Sequence, residues 1–305
     1  MPELPPEPTG LGQGHRQRLR ADLALLLTAI IWGSAFVVQR VVAPQSSVFL
    51  FNGLRFLVGA LVLAPLAWLA FRRSHPLPGL NQQTAPGVLI AGFLLLCGAT
   101  LQQAGLRYTT AANAGFITGL YVVLIPILQA LFWQQAPRPV IWLAACLAAA
   151  GLFLLSTGGS LILKIGDLLE LAGAVFWALH VIWIGRLVHK MELLQLALGQ
   201  FLVCGLTSSL IGLAVEPKLS GEVTGAVWAI LYTGILSVGI GYTLQAAGQR
   251  VAPPADAALI LSCEAVFAAL FGWRFLGEAL SLIQVTGCGI MLVGILLAQA
   301  DAFHK

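Results

Sequence analysis

Ten runs of apolar residues dominate this sequence, and each is about as long as a helix that crosses a membrane. Roughly 20 residues, at about 1.5 Å of rise each, span the hydrocarbon core of a bilayer. The runs are too long for the strands of a membrane barrel and lack alternation of apolar and polar residues. They lie at about 22–41, 47–71, 87–106, 112–133, 140–157, 168–187, 192–215, 223–247, 255–275 and 281–300. The sequence therefore predicts an all-α membrane protein with ten transmembrane helices.

The composition indicates that most of the chain is surrounded by lipid. Of the 305 residues, 59% are hydrophobic and 9% are charged, whereas a soluble domain carries about 25% charged residues. The net charge of +4 is spread over the ends of the apolar runs, so no nucleic-acid partner is expected. The five cysteines each lie inside an apolar run and lack metal-site spacing. The pattern predicts neither a metal nor a cofactor.

The two ends of the chain differ from its apolar body. Residues 1–20 are rich in proline, glycine and charge, which predicts a disordered tail, and residues 301–305 form a short C-terminal tail. Lysine and arginine in the links are more frequent on the side of the N-terminus, and such residues concentrate on the cytoplasmic side of membranes. We therefore expect a multi-pass protein of the cell (inner or plasma) membrane with both termini in the cytoplasm.

The chain repeats itself after 143–145 residues. Asp22 and Trp32 in the first apolar run return as Asp167 and Trp177 in the sixth. The segments 98–107 and 241–250 share seven of ten residues, including Thr-Leu-Gln and a terminal arginine. This match predicts a first five-helix repeat at residues 21–160 and a second at residues 161–300.

Five helices in each half is an odd number, so the two halves enter the membrane in opposite directions. Inverted repeats are typical of secondary transporters, because two similar halves can exchange conformations around a central site. The sequence thus predicts a carrier of small solutes that works by alternating access. An old duplication kept only for packing is the alternative explanation.

Several short motifs strengthen this interpretation. They are Ile31–Phe36 (IWGSAF), Leu54–Phe56 (LRF), Thr110–Leu120 (TAANAGFITGL), and Glu264–Leu270 (EAVFAAL). In this order and spacing the chain resembles the drug/metabolite transporter superfamily, and within it the EamA-type exporters, over about residues 22–300. The resemblance implies export of amino acids or related metabolites. One departure is Ala265, where the family usually has proline, so the usual kink of the ninth span is not assured.

Two charged residues fall deep inside the predicted helices, where charges are costly. Glu264 could bind a proton or a substrate amine, or it could make a hydrogen bond between helices. Arg55 could hold a substrate carboxylate, because a guanidinium matches that geometry, or it could pair within the fold or extend to the interface. The other acids, Glu170 among them, are expected at span ends or in links.

Aromatic and amide side chains supply the remaining candidate substrate-binding residues. Trp177 and His180 share one helical face, although a lone histidine can also be a packing residue. Gln102 and Gln245 are equivalent in the two repeats and could line a cavity or bind each other. We expect a central cavity lined by spans one, three, four, six, eight and nine. The full set of substrate-binding candidates is Trp32, Gln102, Tyr121, Trp177, His180, Tyr242 and Gln245.

Other functions remain as alternatives. A carrier of lipids or lipid-linked sugars could use the same fold. A membrane-embedded enzyme is less well supported, because the sequence has no HExxH, GxSxG or P-loop motif. The expected partners are a small-molecule substrate and the bilayer. Small residues in spans five and ten would join the two halves, and they would also allow a homodimer.

The predicted topology can be tested by cysteine labelling. Cysteines introduced near Ser46 and near Ser74 lie on either side of the second span and should react with an impermeant reagent from opposite faces of the membrane. Reaction of both from the same face would contradict the number of spans in the first half.

Overall fold

The structure, a computed structural model, describes residues 10–72, 80–135, 137–157, 164–216, 222–278 and 281–303. Within these ranges the chain forms ten helical spans joined by short links, and no strand occurs there. Their bounds are α1 Gly10–Val42, α2 Val48–Phe71, α3 Ala85–Gly105, α4 Ala111–Gly119 with Tyr121–Trp133, α5 Pro139–Thr157, α6 Ile165–Leu187, α7 Leu193–Val215, α8 Glu222–Tyr232 with π-helical Thr233–Tyr242 and then Thr243–Gln249, α9 Pro254–Leu261 with Glu264–Phe271 and π-helical Gly272–Leu276, and α10 Leu282–Phe303.

Eight of these spans are long and apolar enough to cross a membrane, and α5 and α10 contain the shorter apolar stretches Pro139–Leu154 and Leu282–Ala298. The length follows from the physics of the bilayer, where a helix satisfies its own backbone hydrogen bonds without help from water. The prediction of an all-α membrane protein with ten spans is confirmed.

The N-terminal end of α1 corrects one expectation. The helix begins at Gly10, so the disorder predicted for residues 1–20 is wrong for residues 10–20, while residues 1–9 lie outside the described part of the chain. Ion pairs explain this order in a segment that has little apolar surface to bury. Arg18 contacts Asp22 one turn later and Asp256 at the start of α9, each at 3.0 Å. At the other end, α10 continues through Phe303 into the predicted C-terminal tail.

The two repeats interlock. The equivalent helices α2 and α7 pack against each other, as do α5 and α10, while α3 packs on α6 just as α8 packs on α1. Equivalent residues therefore meet at the centre, where the rings of Phe56 and Phe201 lie 6.1 Å apart. In α5 and α10 the backbones approach so closely that a Cβ at Gly151 would lie 2.7 Å from the nitrogen of Met291. The core of the protein is thus the interface between its halves.

The strongest sequence match between the repeats has a packing explanation. A Cβ at Gly98 of α3 would lie 3.0 Å from the ring of Trp177, and one at Gly241 of α8 would lie 2.7 Å from Nε1 of Trp32. The two glycines are equivalent in the repeats, and so are the two tryptophans. Each glycine leaves the space in which a tryptophan of the neighbouring helix lies.

The crossing of α1 and α9 depends on another glycine, and this gives a test. A Cβ at Gly33 would lie 2.9 Å from the nitrogen of Ala268, so Gly33→Leu must separate two backbones. We expect a loss of about 1–3 kcal/mol or more in stability, seen as a lower midpoint of thermal unfolding in detergent. The matched control is Gly289→Leu in α10, where nothing lies within 4 Å, and it should unfold like the wild type. Equal unfolding of the two variants would contradict this packing.

Candidate substrate cavity

Two helices break at equivalent points near the centre of the protein. Helix α4 is interrupted at Leu120, and α9 is interrupted at Ser262–Cys263. Tyr121 and Glu264 follow the two breaks directly, and the Tyr121 hydroxyl donates a hydrogen bond to Oε1 of Glu264 at 3.0 Å. The interruption of α9 is therefore present although Ala265 replaces the proline that the family resemblance leads one to expect. Discontinuous helices of this kind commonly form the sites of transporters.

A cavity lies between the halves beside this pair. It measures about 450 Å³, counting its open mouth. Its walls come from the six predicted helices, α1, α3, α4, α6, α8 and α9, and also from α2, which contributes Arg55. All nine candidate residues line it, namely Trp32, Arg55, Gln102, Tyr121, Trp177, His180, Tyr242, Gln245 and Glu264.

The ring of Tyr242 is the centre of an aromatic wall. It lies 4.8 Å from the ring of Trp32 and 6.1 Å from that of Trp177, which is nearly parallel to it, at 24°. The rings of Phe56 and His180 lie 6.0 and 5.9 Å away. Aromatic rings at these distances form stable offset or tilted pairs. Both halves therefore contribute to one apolar surface on which a flat solute could stack.

Arg55 is held inside the protein by neutral groups. Its side chain is buried, with 3% exposed, so it does not extend to the membrane interface. Nη1 donates to Oε1 of Gln39 at 2.7 Å, and the guanidinium lies over the rings of Phe51 and Phe56. Nε has no hydrogen-bond partner, and no ion pair of Arg55 is found among the described residues. A positive charge thus lines the cavity with no negative partner in the ranges that the structure describes.

Glu264 is the buried acid of the same cavity. It is 2% exposed and receives the Tyr121 hydroxyl, and no cation is paired with it in the part of the chain that the structure describes. Arg55 and Glu264 therefore line one cavity as a base and an acid that do not form an ion pair with each other. A buried charge without a partner is costly, so this arrangement favours a ligand that supplies the missing charges.

Three further polar atoms at the cavity have no hydrogen-bond partner among the described residues. Nε2 of His180 donates to Oε1 of Gln200 at 2.9 Å, which leaves Nδ1 as an unpaired acceptor. The indole Nε1 of Trp177 is an unpaired donor, and Oε1 of Gln245 is an unpaired acceptor. Gln245 donates to Gln249 rather than to Gln102, so the two equivalent glutamines line the cavity and do not bind each other.

The sequence did not indicate every functional candidate. Gln39, Thr118 and Ser237 line the cavity, but single polar residues in apolar helices give little signal of their position. Glu170 was expected at a span end, yet it is fully buried in α6, where its Oε2 accepts a hydrogen bond from Thr118 at 3.2 Å. Glu170 lies only a few residues after the start of α6, a position that predicts a side chain near the end of the span. Its place in the sequence therefore did not indicate that it is buried.

Comparisons with known proteins agree with this architecture. The sequence model of the EamA-like transporter family matches residues 19–157 and again residues 164–299. An uncharacterized transporter of Archaeoglobus fulgidus is 33% identical over 93% of this chain and 87% of its own length. The uncharacterized inner membrane transporter YedA of Escherichia coli is 26% identical over 94% and 93% of the two chains. One crystal structure shares the fold, with a TM-score of 0.73 over 92% of this chain and 97% of its own, at 21% identity.

The hydrogen bond between Tyr121 and Glu264 should contribute measurably to stability. Glu264→Ala leaves the buried Tyr121 hydroxyl unpaired, which costs about 1–3 kcal/mol, whereas Glu264→Gln retains an acceptor and should unfold close to the wild type. Tyr121→Phe combined with Glu264→Ala should cost less than the sum of the single changes. Thermal unfolding in detergent measures all four variants, and strictly additive losses would contradict the coupling.

Proposed function

We propose that this chain, which belongs to the EamA-like transporter family and is a membrane transporter, exports small zwitterions of the amino-acid class. In this proposal the central cavity opens alternately to the two faces of a cell membrane, with both termini in the cytoplasm. Transport of this kind uses the inverted repeats, because the two halves can exchange their arrangements around a fixed site.

The unpaired charges of the cavity support this cargo most directly. Arg55 offers a planar guanidinium, which matches a carboxylate in geometry and charge. Glu264 offers a carboxyl group to an ammonium group. An α-amino acid carries both complementary charges, so its binding would relieve the burial of both protein groups together. A simple amine or a simple acid would relieve only one.

The rest of the cavity favours an apolar or aromatic side chain on that cargo. The rings of Trp32, Trp177 and Tyr242 form a surface for stacking. The unpaired Nε1 of Trp177 and Nδ1 of His180 add one donor and one acceptor.

Ion pairs at one end of the bundle fit the proposed change of access. Arg18 of α1 and Arg138 before α5 both contact Asp256 of α9, at 3.0 and 3.1 Å. These contacts join the first repeat to the second at the membrane face where α1 begins. In our proposal they hold that face closed and separate when the cavity opens to it.

Counterflow into proteoliposomes tests the choice of cargo. Labelled tryptophan is offered together with unlabelled tryptophan, tryptamine or indole-3-propionate as competitors. The two analogues lack the carboxylate and the ammonium group, respectively. We expect both to compete at least about tenfold less well than tryptophan, which corresponds to about 1.4 kcal/mol. Competition by either analogue as strong as that by tryptophan would contradict recognition of a zwitterion.

Substitution of Arg55 separates its role in binding from its role in folding. Arg55→Gln should weaken binding of tryptophan by about 2–5 kcal/mol, because the carboxylate loses its buried partner, but should leave binding of tryptamine unchanged. Arg72→Gln is the control, since Arg72 is an exposed residue at the end of the same helix. Tryptophan-binding calorimetry and thermal unfolding on the same samples check the result. An equal loss for tryptophan and tryptamine would contradict a carboxylate contact.

A further inference from the structure

Glu170 is a buried acid outside the cavity wall that the proposed binding of cargo does not use. It is fully buried on α6, and its Oε2 accepts a hydrogen bond from the Thr118 hydroxyl at 3.2 Å. Its Oε1 has no hydrogen-bond partner among the described residues. That oxygen faces α3 at Gly105, where an added Cβ would lie 2.7 Å from it. Thr118 in turn lines the cavity, so one hydroxyl separates Glu170 from the cavity.

The other repeat shows what this position requires for packing alone. The residue equivalent to Glu170 is Leu25 in α1, and the residue equivalent to Thr118 is Leu261 in α9; both leucines are fully buried. Gly248 contacts Leu25 in the way that Gly105 contacts Glu170. The same site is thus filled by two leucines in one half and by a hydrogen-bonded acid and hydroxyl in the other. Packing therefore does not explain the carboxyl group of Glu170.

The surroundings of Glu170 do not neutralise its charge. Among the described residues, the charged groups that act on it are Asp167, one turn earlier on the same helix, and Glu264 of α9, and both are acids. From α3 and α4 it meets Gly105 and Thr118, which carry no charge. An ionised carboxyl in this setting is costly, and uptake of a proton removes the cost.

A second acid, Asp167, lies between Glu170 and the membrane face at which α6 begins. Asp167 lies in the first turn of α6, where it accepts hydrogen bonds from Thr109 at 2.7 Å and from the backbone of Lys164 at 2.8 Å. Asp167 and Glu170 are three residues apart, so they share a helical face. Acids and hydroxyls therefore follow one another from this end of α6 to the cavity.

We propose that Glu170 is a proton-binding site that connects the membrane face where α6 begins with the central cavity, through the hydroxyl of Thr118. A proton from water at that face binds the carboxylate of Glu170. The Thr118 hydroxyl, which donates to Glu170 in the structure, then turns its hydrogen toward the cavity. Its oxygen accepts the proton of Glu170 while its own proton passes to the carboxylate of Glu264. Glu170 is left as a carboxylate and Glu264 as a carboxylic acid. The inference rests on the transport function proposed above, because it assigns a source of energy to the same cavity.

The first test needs no cargo. Infrared difference spectra of the protein in lipid are recorded between about pH 4 and pH 9, the range in which carboxyl groups of proteins titrate. The wild type should show a carboxylic-acid carbonyl band that is lost in Glu170→Gln and in Glu170→Leu. Glu170→Gln keeps an acceptor for Thr118, and Glu170→Leu copies the packing of Leu25, so at least one of them should fold. A difference spectrum that is the same with and without Glu170 would overturn the proposal.

The matched control is Glu278→Gln. Glu278 is a partly buried acid in the link between α9 and α10, away from the cavity. Burial raises its pKa, while the amides of Ala111 and Ala112 and the charge of Arg40 oppose that rise. This variant removes a different, partly buried carboxyl, and the band assigned to Glu170 should remain.

The second test links the site to transport. Vesicles that contain a pH-sensitive dye report proton movement when tryptophan is added. Glu170→Gln and Thr118→Val should reduce the cargo-driven proton flux about a hundredfold, the lower end of the usual effect of a positioned proton donor. In Glu170→Gln, exchange of labelled for unlabelled tryptophan should persist, because exchange requires no net proton movement. Undiminished proton flux in both variants would overturn the proposal.

The two tests distinguish a failure of the proton site from a failure of the proposed cargo. If the infrared band titrates and depends on Glu170, but no compound of the panel is exchanged, the choice of cargo fails and the proton site is retained. If tryptophan is exchanged but the band is independent of Glu170, the cargo stands and the proton site fails.

Discussion

The hydrocarbon core of a membrane requires each segment to satisfy its own backbone polar groups, and the rest of this structure depends on that constraint. It makes every span helical, and it allows irregular backbone only where other protein surrounds it. The interruptions of α4 and α9 obey this rule, because Tyr121 and Glu264 lie beside them in the middle of the protein and are buried. The helices then associate through close contact of small residues rather than through the hydrophobic effect, which gains little between helices in lipid. Glycines at the crossings of α1 with α9 and of α5 with α10 supply that contact.

Because the chain contains two equivalent repeats, the packing of each residue can be compared with that of its equivalent in the other half. Where equivalent residues serve the same purpose, they are the same in both halves, as with Gly98 and Gly241 beside the two tryptophans. At two positions where they differ, the difference brings a polar group that only one half has. Tyr121 is equivalent to Glu264, and the two form one hydrogen bond across the halves. Glu170 is equivalent to a leucine, so an acid is added where packing alone is satisfied without one.

The same comparison shows why the cavity is chemically asymmetric although its walls come from both repeats. Its basic group, Arg55, comes from α2 and its acidic group, Glu264, from α9, and neither has an ion-pair partner in the described part of the chain. The aromatic wall, by contrast, is contributed by both halves and centres on Tyr242. An apolar surface built from both repeats therefore carries its basic group and its acidic group on different helices. In the function proposed above, such a site orients a zwitterion while the surrounding halves exchange their positions.

The sequence by itself determined the number of spans and the repeat. It also showed which polar residues lie inside apolar runs and therefore need a structural or functional reason. This was possible because burial in lipid requires long apolar runs, and because a polar residue inside such a run is rare. It could not determine that residues 10–20 continue α1, since one of the two ion pairs of that segment joins Arg18 to Asp256, which lies more than two hundred residues later in the chain. It also could not show that Arg55 and Glu264 line one cavity without pairing, or that Glu170 is buried against Thr118. Those facts depend on how α2, α4, α6 and α9 are arranged around the centre, and only the tertiary structure decides which side chains meet there.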